Sequence, residues 1–229
     1  MKKLLLLFII PFLSFGQGWV QTYGNGIGNS VKQTSEGGFI ITGDQIGNGC
    51  WANCSSFLMK LDSSGNEEWL NIQEGSYTES PCCGGPSYSG SSVIELNSEY
   101  LYASNNAYSG FDSWQSSSVV NKVDYLGEND WSIDSPLGFE PFPGSSNSYT
   151  KHIILNTNND CVYVGSYTTT GPSFLLTYNV FLQNINPNSG LINWSQTYET
   201  SMSGISSYES SKYGMVTQTM DGGYIIAGV

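Results

Sequence analysis

Two short phrases recur along this chain in a fixed order, a constraint that a fold built from repeated units meets directly. The first, GGFIITG at Gly37–Gly43, aligns with EYLYAS at Glu99–Ser104, DCVYVG at Asp160–Gly165 and GGYIIAG at Gly222–Gly228. Their closing residues, Gly43, Ser104, Gly165 and Gly228, stand 61, 61 and 63 positions apart. The second phrase, KLDSSGNEEW, ends at Trp69; it returns as KVDYLGENDW, ending at Trp131, and as NINPNSGLINW, ending at Trp194. A fourth tryptophan, Trp19 in GWVQTYG, is echoed by NWSQTYE at Asn193–Glu199, and SVKQTSEGG from Ser30 by GMVTQTMDGG from Gly214.

Within one period the pattern predicts four strands, near residues 30–34, 39–44, 57–62 and 67–72. The next two periods give sets near 91–95, 100–104, 117–124 and 129–133, then 150–155, 161–166, 178–185 and 191–198. Apolar and polar residues alternate as strands require: in FLMKLD, Phe57, Met59 and Leu61 share a face. The turn between the last two strands is spelled out chemically. Asp62 or Asp124 bonds the backbone just ahead, and Gly65 or Gly127 supplies a left-handed turn residue. Four strands in about 61 residues, repeated without helices, predict an all-β fold: a β-propeller of four-stranded antiparallel blades, with the recurrent Trp wedged against the neighbouring blade. A β-sandwich array or a β-solenoid accounts less well for both phrases. A strand at Trp19–Tyr23, three blades and two strands of a fourth make fifteen, where a closed four-blade ring has sixteen. The domain at 17–229 is therefore expected to be an incomplete ring, in a protein that continues beyond Val229.

These repeats resemble those of secreted propeller proteins of flavobacteria and related Bacteroidetes, with units of the form W-x-x-T-Y-G, S-V-x-Q-T-x-D-G-G-Y-I-I-A-G and F-L-x-K-L-D-x-x-G-N-x-x-W. Trp19, Thr22, Tyr23, Gly24, Ser30, Val31, Gln33, Thr34, Gly37, Gly38, Gly43, Lys60, Leu61, Asp62, Gly65, Asn66 and Trp69 match in the first unit. The likeness is weaker in the second and third units. It implies export, often as cargo of the type IX secretion system, and it informs location more than mechanism. The Asp-x-x-Gly-x-x-x-Trp phrase is also similar to that of quinoprotein-like propellers, a feature shared by many propellers; no cofactor is expected.

The N-terminus fits an exported protein. MKKLLLLFIIPFLSFG places two lysines before a mostly apolar run, which reads as a signal peptide at 1–16 cleaved before Gln17. That run is about half the length of a membrane-spanning helix. Its removal leaves five lysines and no arginine against nineteen acidic residues, a formal charge of −14. Such a balance excludes nucleic acid as a partner, because binding there rests on cationic side chains.

Chemistry-bearing residues are few. A histidine mechanism would have to pass through His152, the only histidine, which reads as an ordinary strand residue. Asp62, Asp124 and Asp221 read as turn caps, since their segments lack the ligand count of a calcium loop. The carboxylate pairs Glu67/Glu68 and Glu128/Asp130 lie on predicted outer strands, and in a regular strand adjacent residues point to opposite faces. No catalytic or metal-binding residue is assigned. In an exported chain at least one disulfide is expected among Cys50, Cys54, Cys82 and Cys83, with Cys50–Cys54 the simplest pairing; Cys161 is left over as a buried thiol. The segments 74–90 and 136–149, rich in aromatics, Pro, Ser and Gly, suit recognition surfaces. The expected function is a secreted or cell-surface, non-enzymatic module for binding or adhesion, with an extracellular glycan or protein as ligand. The alternatives are the propeller portion of an extracellular hydrolase or quinoprotein-like enzyme, and a structural spacer.

Overall fold

The computed structural model describes residues 19–46, 54–73, 87–109, 114–134, 147–170, 176–200 and 213–228. Among them are fourteen strands and no helix. The first group comprises β1 (Gly26–Gln33), β2 (Phe39–Ile46), β3 (Cys54–Leu61) and β4 (Glu67–Gln73). The second comprises β5 (Ser87–Leu96), β6 (Glu99–Ser109), β7 (Trp114–Val123) and β8 (Asn129–Asp134). The third comprises β9 (Asn147–Leu155), β10 (Cys161–Thr170), β11 (Leu176–Ile185) and β12 (Ile192–Thr200). The last is the pair β13 (Tyr213–Gln218) and β14 (Tyr224–Gly228).

Each group is an antiparallel meander in which consecutive strands pair. The second and third are joined into one eight-stranded sheet only through a parallel contact of Ser116 with Asn147. Short turns fix the meanders. The loops after β1, β9 and β13 turn through positive φ at Gly37, Asn159 and Gly222, and the tighter β5–β6 turn does so at Asn97 and Ser98.

Pairing irregularities recur at the same rungs. The first strand of each group carries one unpaired residue, Asn29, Ser91, Lys151 or Gly214, opposite the residue that closes the repeated phrase on the second strand, Gly43, Ser104, Gly165 or Gly228. The fourth strand carries another, at Glu68, Asp130 and Asn193, immediately before the tryptophan. Beta-bulges of this kind bend a strand and re-aim a side chain.

The core lies between successive sheets rather than within one. Ile40 and Leu58 of the first sheet meet Val93, Tyr100, Tyr102 and Val123 of the second. Ile94, Leu101 and Val120 of the second meet Ile153, Cys161, Tyr163, Phe181 and Ile185 of the third. Val162, Val164, Val180 and Leu182 of the third meet Val216, Tyr224 and Ile226. The second and third sheets thus each turn one face to the preceding sheet and the other to the following one, as period-two side-chain alternation allows.

Two expectations need correction. Trp19–Tyr23 is not a strand: its backbone pairs with no strand among the described residues, and the segment is held instead by side chains, Trp19 on Phe39 and Tyr23 on the Gly65 carbonyl. Several strands also run beyond the apolar alternation: Ser87–Gly90 belong to β5 and Asn147–Tyr149 to β9, not to connecting loops. These extensions are held by backbone pairing and small buried polar side chains such as Ser104, Ser116, Ser148 and Thr150. The predicted signal peptide lies outside the described residues, as do Cys50, Cys82, Cys83 and most of both long connections.

Candidate functional site

The residues singled out by the repeat assemble into one joint, built again at each sheet boundary. Trp69, Trp131 and Trp194 pair with Lys60, Lys122 and Asn184, the same rung in three sheets. Trp69 packs against Tyr100 and lies over the turn glycine of the next sheet; a Cβ on Gly127 would come within 2.9 Å of its ring. At the next boundary the Trp131 ring is 3.3 Å from the same point on Gly190, where Ile133 comes closer, at 3.0 Å. Trp19, although not in a strand, holds the same relation to Phe39 and Gly65, and Tyr23 Oη donates to the Gly65 carbonyl at 2.6 Å. Gly65 and Gly127 adopt φ of +84° and +85°. They are required twice over, by conformation and by the indole face above them.

The aspartates at these turns act as caps. Asp62 Oδ1 accepts from the amides of Ser64 and Asn66, and Asp124 Oδ1 from those of Leu126 and Glu128, all at 2.8–2.9 Å. Hydrogen bonds from Asn66 hold the Asp62 carboxyl below its ordinary range. Among the described residues no cluster of three His, Cys, Asp or Glu side chains could hold a metal ion.

A buried lysine beneath each of the first two tryptophans was not anticipated from the sequence. Lys60 Nζ is 2.5 Å from Glu36 and 2.8 Å from Glu68; Lys122 Nζ is 2.9 Å from Glu99 and 3.0 Å from Asp130. Burial pulls both ammonium groups down, and the hydrogen bonds from their carboxylates outweigh it, leaving both raised. In the third sheet the pair becomes Asn184 and Asn193, 2.6 Å apart. Glu68, Asp130 and Asn193 are the bulged residues, so the bulge brings each onto the face of its partner. The pairs Lys/Glu, Lys/Asp and Asn/Asn at aligned positions were the available signal.

First strands are joined by side-chain acceptors. Ser30 Oγ accepts from the Val93 amide, Ser92 Oγ from Ile153 and His152 Nδ1 from Val216, at 3.2–3.3 Å. The lone histidine therefore fills a place that serine fills in the other two sheets. Burial first, then the Lys32 charge, pulls its pKa below the ordinary value. Cys161 is a free thiol, fully buried at the position of Phe39, Tyr100 and Tyr224, and burial pushes its pKa strongly up.

These matched bonds orient the sheets alike. In an antiparallel meander, the connections from second to third strand and from fourth strand to the next sheet leave from one edge. The tight turns occupy the other edge. Beside the connection-bearing edge, Lys151 Nζ sits 5.6 Å over the Tyr149 ring, on the bulge of β9. It forms no ion pair among the described residues, and burial lowers its pKa. Asn105 clamps the β9 backbone nearby, accepting from the Thr150 amide at 2.7 Å and donating to its carbonyl at 3.2 Å. Compared with protein-family models and with curated proteins, the chain matches none.

Proposed function

We propose that the chain is part of a secreted or cell-surface β-propeller, with blades of about 61 residues in an incomplete ring, acting as a non-enzymatic binding or adhesion module. The observation that carries this reading is the like-oriented stacking of sheets through one repeated joint, a meander topology in which the six connections leave from one edge while short capped turns occupy the other. Such a scaffold suits recognition, because rigid sheets hold loops whose sequences are free to vary. The connections carry aromatic, Ser, Asn and Gly residues, suited to stacking on sugars and bonding their hydroxyls, so the ligand is an extracellular glycan or protein. Among the described residues no helix is long and apolar enough to cross a membrane.

Export is tested by expressing the full chain with residues 1–16 intact and sequencing the N-terminus of the product, which is expected at Gln17. Binding is tested on a glycan array and on extracellular matrix proteins. Replacing residues 74–86 and 136–146 by short Gly-Ser connections should abolish binding while leaving the unfolding midpoint unchanged. Retained binding after both replacements sinks the reading.

A further inference from the structure

The first strands β1, β5, β9 and β13 lie side by side, joined by the bonds to Ser30, Ser92 and His152. Charge is distributed on them unlike on the rest of the chain. The whole sequence has seven lysines against nineteen acidic residues, yet these strands carry Lys32 and Lys151 against a single acid, Glu95. That acid is engaged, accepting from the Ser35 amide at 2.7 Å and the Ser35 hydroxyl at 2.8 Å. Lys60 and Lys122 are paired internally with carboxylates. The described lysines without an ion pair, Lys32 and Lys151, are therefore both on first strands.

Two electrostatic influences place these cations on one surface. The Lys32 charge acts on His152 of β9, and Asp44 of β2 acts on Lys151. Asp44 Oδ1 itself accepts from the Gly90 amide at 3.1 Å. Lys32 is exposed, and Lys151 is half-buried with its ammonium 5.6 Å over the Tyr149 ring. Tyr88 and Tyr149, both half-buried, stand at the connection ends of β5 and β9. Each of these residues belongs to a group with all four of its strands.

We propose that this first-strand wall binds the carboxylates of an acidic glycan, with Lys151 and Lys32 as its cations and Tyr149 as the aromatic surface beside them. The proposal rests on the binding reading above and narrows its ligand to saccharides bearing uronic acids. A pyranose uronate presents an apolar C–H face next to its carboxylate, which an aromatic ring with an adjacent ammonium matches. The acidic balance of the chain is no obstacle, because at physiological salt the field of an exposed charge fades over about 8 Å and the wall itself is nearly free of acids. Burial lowers the Lys151 pKa, and a bound carboxylate would restore the stabilisation that burial removes from its charge.

The test is calorimetric titration of the full chain with a tetramer of galacturonic acid. Binding should weaken as salt rises, and the methyl ester of the same tetramer, whose carboxylates are masked, should bind at least about tenfold more weakly. Lys151→Met should cost at least about tenfold in affinity, whereas Lys151→Arg should stay within about threefold of the parent. Lys32→Met, at an exposed position, leaves folding intact and should weaken binding by about threefold or more. Absence of tetramer binding overturns the proposal, as does equal binding of the ester or unchanged affinity in both Met variants. Tetraglutamate binding as tightly as the tetramer also overturns it, marking a peptide site instead. Tetramer binding that survives the loop replacements but is lost with the lysines would sink the loop reading and sustain this one. Neutral-glycan or protein binding lost with the loops but indifferent to the lysines would do the reverse.

Discussion

His152 and Ser92 do the same work with different chemistry: each accepts a backbone amide from the neighbouring first strand. The difference matters because only the imidazole loses its acceptor when protonated. The native pKa lies below the ordinary value, so between pH 7 and the acid range the unfolded chain binds a proton that the folded chain resists. Stability should therefore be fully present above about pH 6.5 and fall as pH drops below it. His152→Ser should remove that component, since serine serves at Ser30 and Ser92. Urea unfolding at a series of pH values checks this; parallel profiles for the two proteins would show that His152 contributes nothing. Trp131 shows the converse, a repeat residue left incomplete. Trp69 Nε1 donates to the Tyr125 carbonyl at 3.0 Å, whereas Trp131 Nε1 is buried without a partner among the described residues. The turn facing it, Asn186–Gly190, is one residue longer than Asp62–Gly65 and Asp124–Gly127.

At the scale of the strand, legibility followed locality. The turns at Asp62 and Asp124 could be read because an Asx cap and a left-handed glycine act within five residues. Strand centres could be read because apolar alternation marks them. The lysine pairs could not, because a bulge at Glu68 breaks the alternation on which facing is reckoned. Strand ends were also hidden, since Ser, Thr and Asn buried beside the connections carry no apolar period. The Asn184/Asn193 pair suggests that the ionic pair and the amide pair are interchangeable solutions to one buried polar position. The double variant Lys60→Asn with Glu68→Asn should thus lie within about 1 kcal/mol of the parent, since the new pair is neutral and self-satisfying. Glu68→Asn alone should cost more, about 1–2 kcal/mol, by weakening the support of a buried ammonium whose partner is partly solvated. A double-mutant cycle in urea measures both, and additive losses would rule out exchangeability.

Over the whole molecule, each sheet buries its faces only against its neighbours, and stability in such an array is approximately a sum of unit and nearest-neighbour terms. The inner joints are the most enclosed: Val120, Ile153, Phe181 and Ile185 are almost wholly buried between the second and third sheets. The outer boundaries are less so. Val31 is 57% exposed on the first sheet, and Ile225 is 57% exposed on the outer face of the last pair. Exchange of backbone amides should follow this gradient, fastest in β13 and β14, slower in β1, and slowest in β6, β7 and β10. Two truncations separate nearest-neighbour coupling from all-or-none folding. Val216→Ala removes apolar contacts between β13 and the third sheet, and should speed exchange in β13 and β14 while leaving β6 and β7 unchanged. Val120→Ala opens the joint between the second and third sheets, with a cost of about 2–3 kcal/mol for a buried valine. It should speed exchange in both of those sheets, and in β13 and β14, which among the described residues pack on the third sheet. Uniform acceleration of every strand by Val216→Ala would instead mark a single cooperative unit, in which the joints between sheets transmit the whole of the stability rather than a local share.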